Sequence, residues 1–177
     1  MFGDIATEAI LEGASLEDIP EAYWASLREG WMRDETGAWL LRSFKSSYFG
    51  PHCSPGDVAG YEASVNGRGI PDIDLSSTGV QRARELARRG YAFARMALFG
   101  LRTMTGHPPM EAYISICRVD DSRDDDLYTG SVTFASLRPN EANYLDDVED
   151  IRDCAVLILE VSDCDTSLPL IPAERGA

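Results

Sequence analysis

Apolar positions recur with helical spacing most strongly between residues 78 and 103. Ala83, Ala87, Gly90, Ala94, Ala97 and Leu101 alternate steps of four and three, and Leu86 and Phe93 flank them. That spacing marks one face of an α-helix. Thr78 and Gln81 have the spacing of a capping box at its start, and Gly106-His107-Pro108-Pro109 breaks it at its end. The residues of this face are small, so another element can approach closely.

Around this helix the pattern is shorter-ranged. Residues 4–12 read as a short helix ended by Gly13. A second helix starts near Ile19, where Asp18 and Glu21 have capping-box spacing and Pro20 is tolerated in the first turn. Trp24, Leu27 and Trp31 make its apolar face. Residues 34–37 read as a turn. Periodicity admits either a strand or a buried helical turn for 38–44. The run GPHCSPGDVAGYEASVNGRGIP at 50–71 has no periodicity and reads as a long loop, a candidate lid or binding loop.

Strand patterns follow at 112–119 and 132–137, joined by the exposed connection DDSRDDDLYTG. Residues 140–151 read as a short acidic helix or loop. The unbroken apolar run at 154–161 suggests a central strand covered on both faces. The expected fold class is α+β, with N-terminal helices and one long central helix packed on a mainly antiparallel three- to five-stranded sheet. One domain spans 1–177. Within it lie a helical part at 1–49, a long loop at 50–77, the long helix plus β-meander at 78–166, and a tail at 167–177.

Composition supports a folded chain. Its 177 residues are 44% apolar and 26% charged, enough to bury a substantial core and too apolar for disorder throughout. No apolar run approaches the roughly 20 residues of a membrane span. The N-terminus lacks the basic and apolar regions of a signal peptide, so the expected compartment is the cytoplasm. Cys53, Cys117, Cys154 and Cys164 form no C-x-x-C pair, and His52 and His107 are the two histidines, which argues against zinc. Cys117 and Cys154 fall inside strand patterns as small buried hydrophobes, and reduced thiols are expected.

Charge is distributed unevenly along the chain. The formal net charge is −14, and residues 120–165 carry fourteen Asp/Glu against three Arg. Residues 82–102 carry six Arg against one Glu, and Lys45 is the sole lysine. Arg84, Arg88, Arg95 and Arg102 share one side of the long helix, an anion-binding candidate because the guanidinium fork matches carboxylate and phosphate geometry. The acidic balance argues against nucleic acid as a direct partner.

Several local patterns carry residue types used in chemistry. Asp120, Asp121, Asp124, Asp125 and Asp126 lack the spacing and turn glycine of an EF-hand loop, so no metal is expected. Asp72-x-Asp74 followed by Ser and Thr is superficially similar to the nucleophile motif of haloacid-dehalogenase phosphatases, but no apolar strand precedes it. The run PDIDLSSTGVQRARELA is similar to the helix entry of histidine phosphatases, without their Arg-His-Gly motif. It reads as a turn leading into an N-cap. His52 beside Cys53 has no orienting third group for nucleophilic catalysis.

SYFGPHCSPGDV, SVTFASLRPNEANYL and the apolar strand ending in Glu160-Val161 loosely resemble the tyrosine-and-glycine entry and strand–helix rhythm of small ADP-ribosyltransferases. The resemblance implies that Tyr48, His52 or Arg118 contacts NAD, and that Glu160 or Glu174 stabilises an oxocarbenium-like centre. The ordered Arg, Ser-Thr-Ser and Glu-x-Glu set of that family is not present.

The leading expectation is a non-enzymatic binding protein, of immunity, inhibitor or chaperone type, acting without a cofactor. It engages a basic protein through Asp120, Asp121, Asp124, Asp125, Asp126, Asp146, Asp147, Glu149 and Asp150, with Tyr128 and Tyr144 as anchors. Charge of this kind sets on-rate and salt dependence, while a few buried anchors set affinity. The alternatives are the NAD-dependent enzyme and a structural subunit of a larger, for example viral, assembly. The last would form homo-oligomers through the small-residue face of the long helix.

Overall fold

The computed structural model describes residues 11–54, 56–119, 127–145 and 154–170. Residues 4–10 of the helix expected at 4–12, the acidic tip 120–126, residues 146–153 and the tail beyond 170 lie outside the described residues; Leu11 and Glu12, the end of that helix, are helical and Gly13 turns the chain.

A capped 3-10 turn, Leu16–Asp18, comes first. The Ser15 amide donates to Asp18 Oδ2 at 2.8 Å, and Ser15 Oγ accepts from the Glu17 amide. Helix α1 (Glu21–Glu29) ends at Gly30, whose φ of +66° stops the helix. Trp31, expected as the third apolar residue of that helix, therefore begins strand β1 (Trp31–Arg33) instead. β1 pairs antiparallel with β2 (Trp39–Leu41) across the expected turn at 34–37. There Asp34 Oδ1 accepts from the amides of Thr36 and Ala38, and Gly37 takes φ +86°. Helix α2 (Arg42–Ser46) follows at once, so the 38–44 segment is a strand and then a helical turn.

The stretch 50–77 is not one long loop. It contains helix α3 (Val58–Asn66) and the short strand β3 (Arg68–Gly69). The hydrophobic pattern misses α3 because polar residues interrupt its buried positions: among Ala59, Tyr61, Ala63 and Val65 stand Glu62 and Asn66, one turn apart and both fully buried. Glu62 accepts from the Trp39 and Ser136 amides, each at 2.8 Å. Asn66 accepts from the Leu41 amide and donates to the Trp39 carbonyl. Two side chains thus satisfy the exposed edge of β2, as a neighbouring strand would.

Helix α4 (Gly79–Arg102) has Thr78 at its N-cap position, as expected. The capping box is absent, because Gln81 turns to Glu85 and Thr78 makes no side-chain cap bond. Strands β4 (Met110–Arg118), β5 (Tyr128–Ser136) and β6 (Cys154–Glu160) complete a four-stranded antiparallel sheet in the order β3-β5-β4-β6. The fold is α+β. Ala112, Ile114 and Ile116 of β4, Val132 and Phe134 of β5, and Leu159 of β6 join the core under α4. Tyr113 and Ala135, on the opposite face, meet Ala63 of α3.

The small-residue face of α4 packs on this sheet. A Cβ on Gly90 would stand 2.6 Å from Ile114 Cγ2 and 2.8 Å from Ile70 Cδ1. That face is used inside the chain and is not presented to a second copy. Phe93 lies at the aromatic centre, stacked on Tyr23 at 3.9 Å and edge-on to Phe134 at 5.8 Å. Trp31 is edge-on to Phe134, and its indole donates to the Ala97 carbonyl at 2.8 Å.

Two further expectations change. β6 is an edge strand, not a central one; Leu159 is its one buried residue, and Ile158 faces outward. Cys117 and Cys154 are register partners on β4 and β6, with Cα atoms 4.2 Å apart, and they form a disulfide rather than two reduced thiols. The close Cα spacing is that of a non-hydrogen-bonded antiparallel pair, where side chains stand nearest each other.

Candidate functional site

The arginines of α4 organise one side of the molecule. Arg82 and Arg89 lie two helical turns apart, and both reach the turn 72–75, which is closed by the Leu75 amide donating to the Asp72 carbonyl at 3.0 Å. Arg82 binds the Asp72 carboxylate at 2.5 Å and also donates to the carbonyls of Leu75 and Tyr128. Arg89 takes Asp74 in a two-pronged pair at 2.7 and 2.5 Å and donates to the Pro71 carbonyl. The Arg89 hydrogen bonds hold the Asp74 carboxyl down at about 2. Between the two clamps Ile73 is fully exposed.

Sequence reading missed Arg82 and Arg89 as a pair. The available signal was their spacing of seven, which faces two aspartates two residues apart. The predicted stripe behaves differently along its length. Arg95 donates to Tyr91 Oη and Thr166 Oγ1, and Arg102 donates to the Ser162 carbonyl, so both hold the chain that follows β6. Arg84 is exposed and engaged within the chain, and Arg88 is half-buried with its Nε unbonded. The structure therefore does not gather the four into one anion site.

Of the proposed partner-binding residues, Asp120, Asp121, Asp124, Asp125, Asp126, Asp146, Asp147, Glu149 and Asp150 lie outside the described residues. Tyr128 begins β5 and packs against the main core. Tyr144 is exposed and meets Tyr113 edge-on at 5.1 Å. Only Tyr144 of the two offers its ring outward.

The residues of the NAD reading are dispersed. Tyr48 packs edge-on against Tyr61 in a small cluster between α3 and the β1–β2 ribbon, and His52 is exposed nearby in the chain. Arg118 pairs in register with Tyr128, whereas Glu160 pairs with Glu111, at the other end of β4. Seven residues of strand separate those ends by roughly 23 Å at about 3.3 Å per residue. Glu174 lies outside the described residues.

Glu160 and Glu111 instead stand opposite each other on the outer face of the sheet. Tyr113 Oη donates to Glu111, and Ser162 Oγ donates to Glu160 at 3.0 Å. They border a trough made of two adjoining cavities of about 450 and 540 Å³. Arg102 and His107 line one end, Arg138 and Tyr113 the other, and Glu111 is common to both. Like charges directly opposite on paired strands oppose each other. Among the described residues no cluster of three or more His, Cys, Asp or Glu has metal-binding geometry, and no helix is long and apolar enough to cross a membrane.

Comparison with known proteins leaves the class of the chain resting on its fold alone: no family model, curated protein or solved structure matches it.

Proposed function

We propose that this chain is a non-enzymatic binding protein whose acidic surface engages a basic protein, in the manner of an immunity protein, inhibitor or chaperone. The observation that carries the reading is the use made of the α4 arginines. Arg82, Arg89, Arg95 and Arg102 direct their donors to Asp72, Asp74, backbone carbonyls and hydroxyls. Those donors are committed within the chain, which keeps a net charge of −14, with fourteen Asp/Glu against three Arg in residues 120–165. Such a field steers a cationic partner and makes its association rate sensitive to salt.

The Cys117–Cys154 disulfide, a bond that persists in oxidising compartments, gives the cytoplasmic expectation no support. The separation of Arg118 from Glu160 gives the NAD-dependent reading no support. The test is capture from the source lysate at low and then high salt, followed by association kinetics with the retained protein. Replacing Asp124, Asp125 and Asp126 by Asn should slow association and flatten its salt dependence. Unchanged kinetics overturns the reading.

A further inference from the structure

The turn 72–75 is held more firmly than a simple crossover between β3 and α4 requires. Both of its carboxylates and the carbonyls of Pro71 and Leu75 accept from Arg82 or Arg89. Arg82 is itself buried, and its third contact, the Tyr128 carbonyl, ties the turn to β5. Behind the turn, Leu75 packs against the core. The residue at the apex is nevertheless an isoleucine with its whole side chain in water. A β-branched side chain on a fixed backbone loses little freedom on docking, which is how a preorganised anchor gains affinity.

The surroundings specify the docking surface. Asp72 and Asp74 are matched by Arg82 and Arg89. Beside the turn, a cavity of about 360 Å³ is lined by Glu17, Asp18, Glu21 and Glu85, with Arg88 as the remaining cation. An apolar apex next to surplus carboxylate fits a partner site with an apolar pocket and a basic rim. A second copy of this chain, carrying the same charge, would be repelled.

We propose that the turn 72–75 is a preorganised docking knob. Ile73 enters an apolar pocket on a protein partner, and Glu17, Asp18, Glu21 and Glu85 meet Lys or Arg on the pocket's rim. This rests on the reading above that the partner is basic, and it names the anchor that the acidic field by itself does not supply.

The test places a photo-cross-linking residue at position 73 of the full chain in the source lysate, and measures capture by wild-type, Ile73→Ser and Arg89→Gln chains. Cross-links should fall in an apolar site flanked by Lys or Arg. Ile73→Ser should leave the thermal midpoint unchanged, because the side chain buries nothing, and weaken capture by roughly tenfold to a hundredfold. Arg89→Gln should weaken capture less and speed hydrogen exchange at the Leu75 amide. Salt-sensitive capture that ignores Ile73→Ser overturns the knob and leaves the basic-partner reading standing. Salt-insensitive capture that is lost in Ile73→Ser, with cross-links in a site lacking basic residues, supports the apolar anchor and overturns the basic partner. No capture by the wild-type chain at any salt overturns both.

Discussion

Arg138 Nη2 lies 2.8 Å from Glu62 Oε1, in an ion pair whose carboxylate is completely buried while the arginine side chain is 22% exposed. The pair joins three elements. Glu62 comes from α3, its carboxylate accepts from the amides of Trp39 in β2 and Ser136 in β5, and Arg138 also reaches the Gly37 carbonyl. Removing one partner of a buried pair leaves the other charge uncompensated, which costs about 3–5 kcal/mol. Arg138→Leu should destabilise by that amount. In Glu62→Leu the Trp39 and Ser136 amides lose their acceptor, at about 1–3 kcal/mol each. The Glu62→Leu/Arg138→Leu double variant should therefore stay well below wild type in urea unfolding. A double variant as stable as wild type would show that the carboxylate matters only to Arg138.

Two glycines of α4 should respond with opposite signs. At Gly90 an added methyl meets Ile114, Ile70 and Val132, at 2.6, 2.8 and 3.4 Å. Overpacking of that kind costs about 1–3 kcal/mol, against a helix-propensity gain of at most about 1 kcal/mol. At Gly100 nothing lies within 4 Å, so the gain stands alone. Thermal unfolding should show Gly90→Ala below wild type and Gly100→Ala slightly above it. A stabilised Gly90→Ala would mean that α4 can lift from the sheet at little cost.

What the sequence makes legible follows from where apolar residues sit. α4 and the strands β4 and β5 can be read because their buried faces are apolar at regular spacing, as with Ala94, Ala97 and Leu101 or Ile114 and Ile116. α3 is hidden because Glu62 and Asn66 occupy its buried face, and periodicity treats them as solvent-facing. β6 misleads in the other direction: Cys154-Ala155-Val156-Leu157-Ile158-Leu159 looks doubly covered, yet α4 covers one face and the sheet ends there. The disulfide depends on strand register, which cysteine spacing alone does not specify. The arginine clamp on the turn 72–75 is half legible. Asp72 and Asp74 mark a turn and the helix is basic, but which arginines face the turn depends on the helix phase relative to β3.

The Cys117–Cys154 bridge should make stability depend on redox conditions. It joins positions 37 residues apart and ties the edge strand β6 to β4. Loss of a disulfide across such a span typically costs about 2–4 kcal/mol. For a domain of this size that corresponds to a fall of roughly 5–15 °C in thermal midpoint. The Cys117→Ser/Cys154→Ser variant and the wild-type chain with reductant should fall together. Cys164 supplies an internal control, because burial pushes its thiol up to about 11 and it should resist alkylation until the chain unfolds. A reductant-insensitive wild type with a destabilised double Ser variant would assign the effect to packing of the sulfur atoms rather than to the bond.

The Asp74–Arg89 clamp has a defined acid limit. Asp74 ordinarily titrates near 3.8, and its hydrogen bonds with Arg89 lower that to about 2 in the folded chain. A carboxyl depressed on folding contributes stability that is fully present above its unfolded value and lost as the pH falls through the folded one. The clamp should therefore be intact at neutral pH, weaken below about pH 4 and open near pH 2. Carbon-detected NMR of the Asp74 side chain should show a midpoint near 2 in the wild-type chain. Arg89→Gln should return it toward the ordinary value. The Arg89 side-chain resonances should titrate with the same midpoint as Asp74, since the two groups share the bonds. An Asp74 midpoint near 3.8 in the wild-type chain would mean that the arginine does not hold the turn in solution, and the fixed presentation of Ile73 would fail with it.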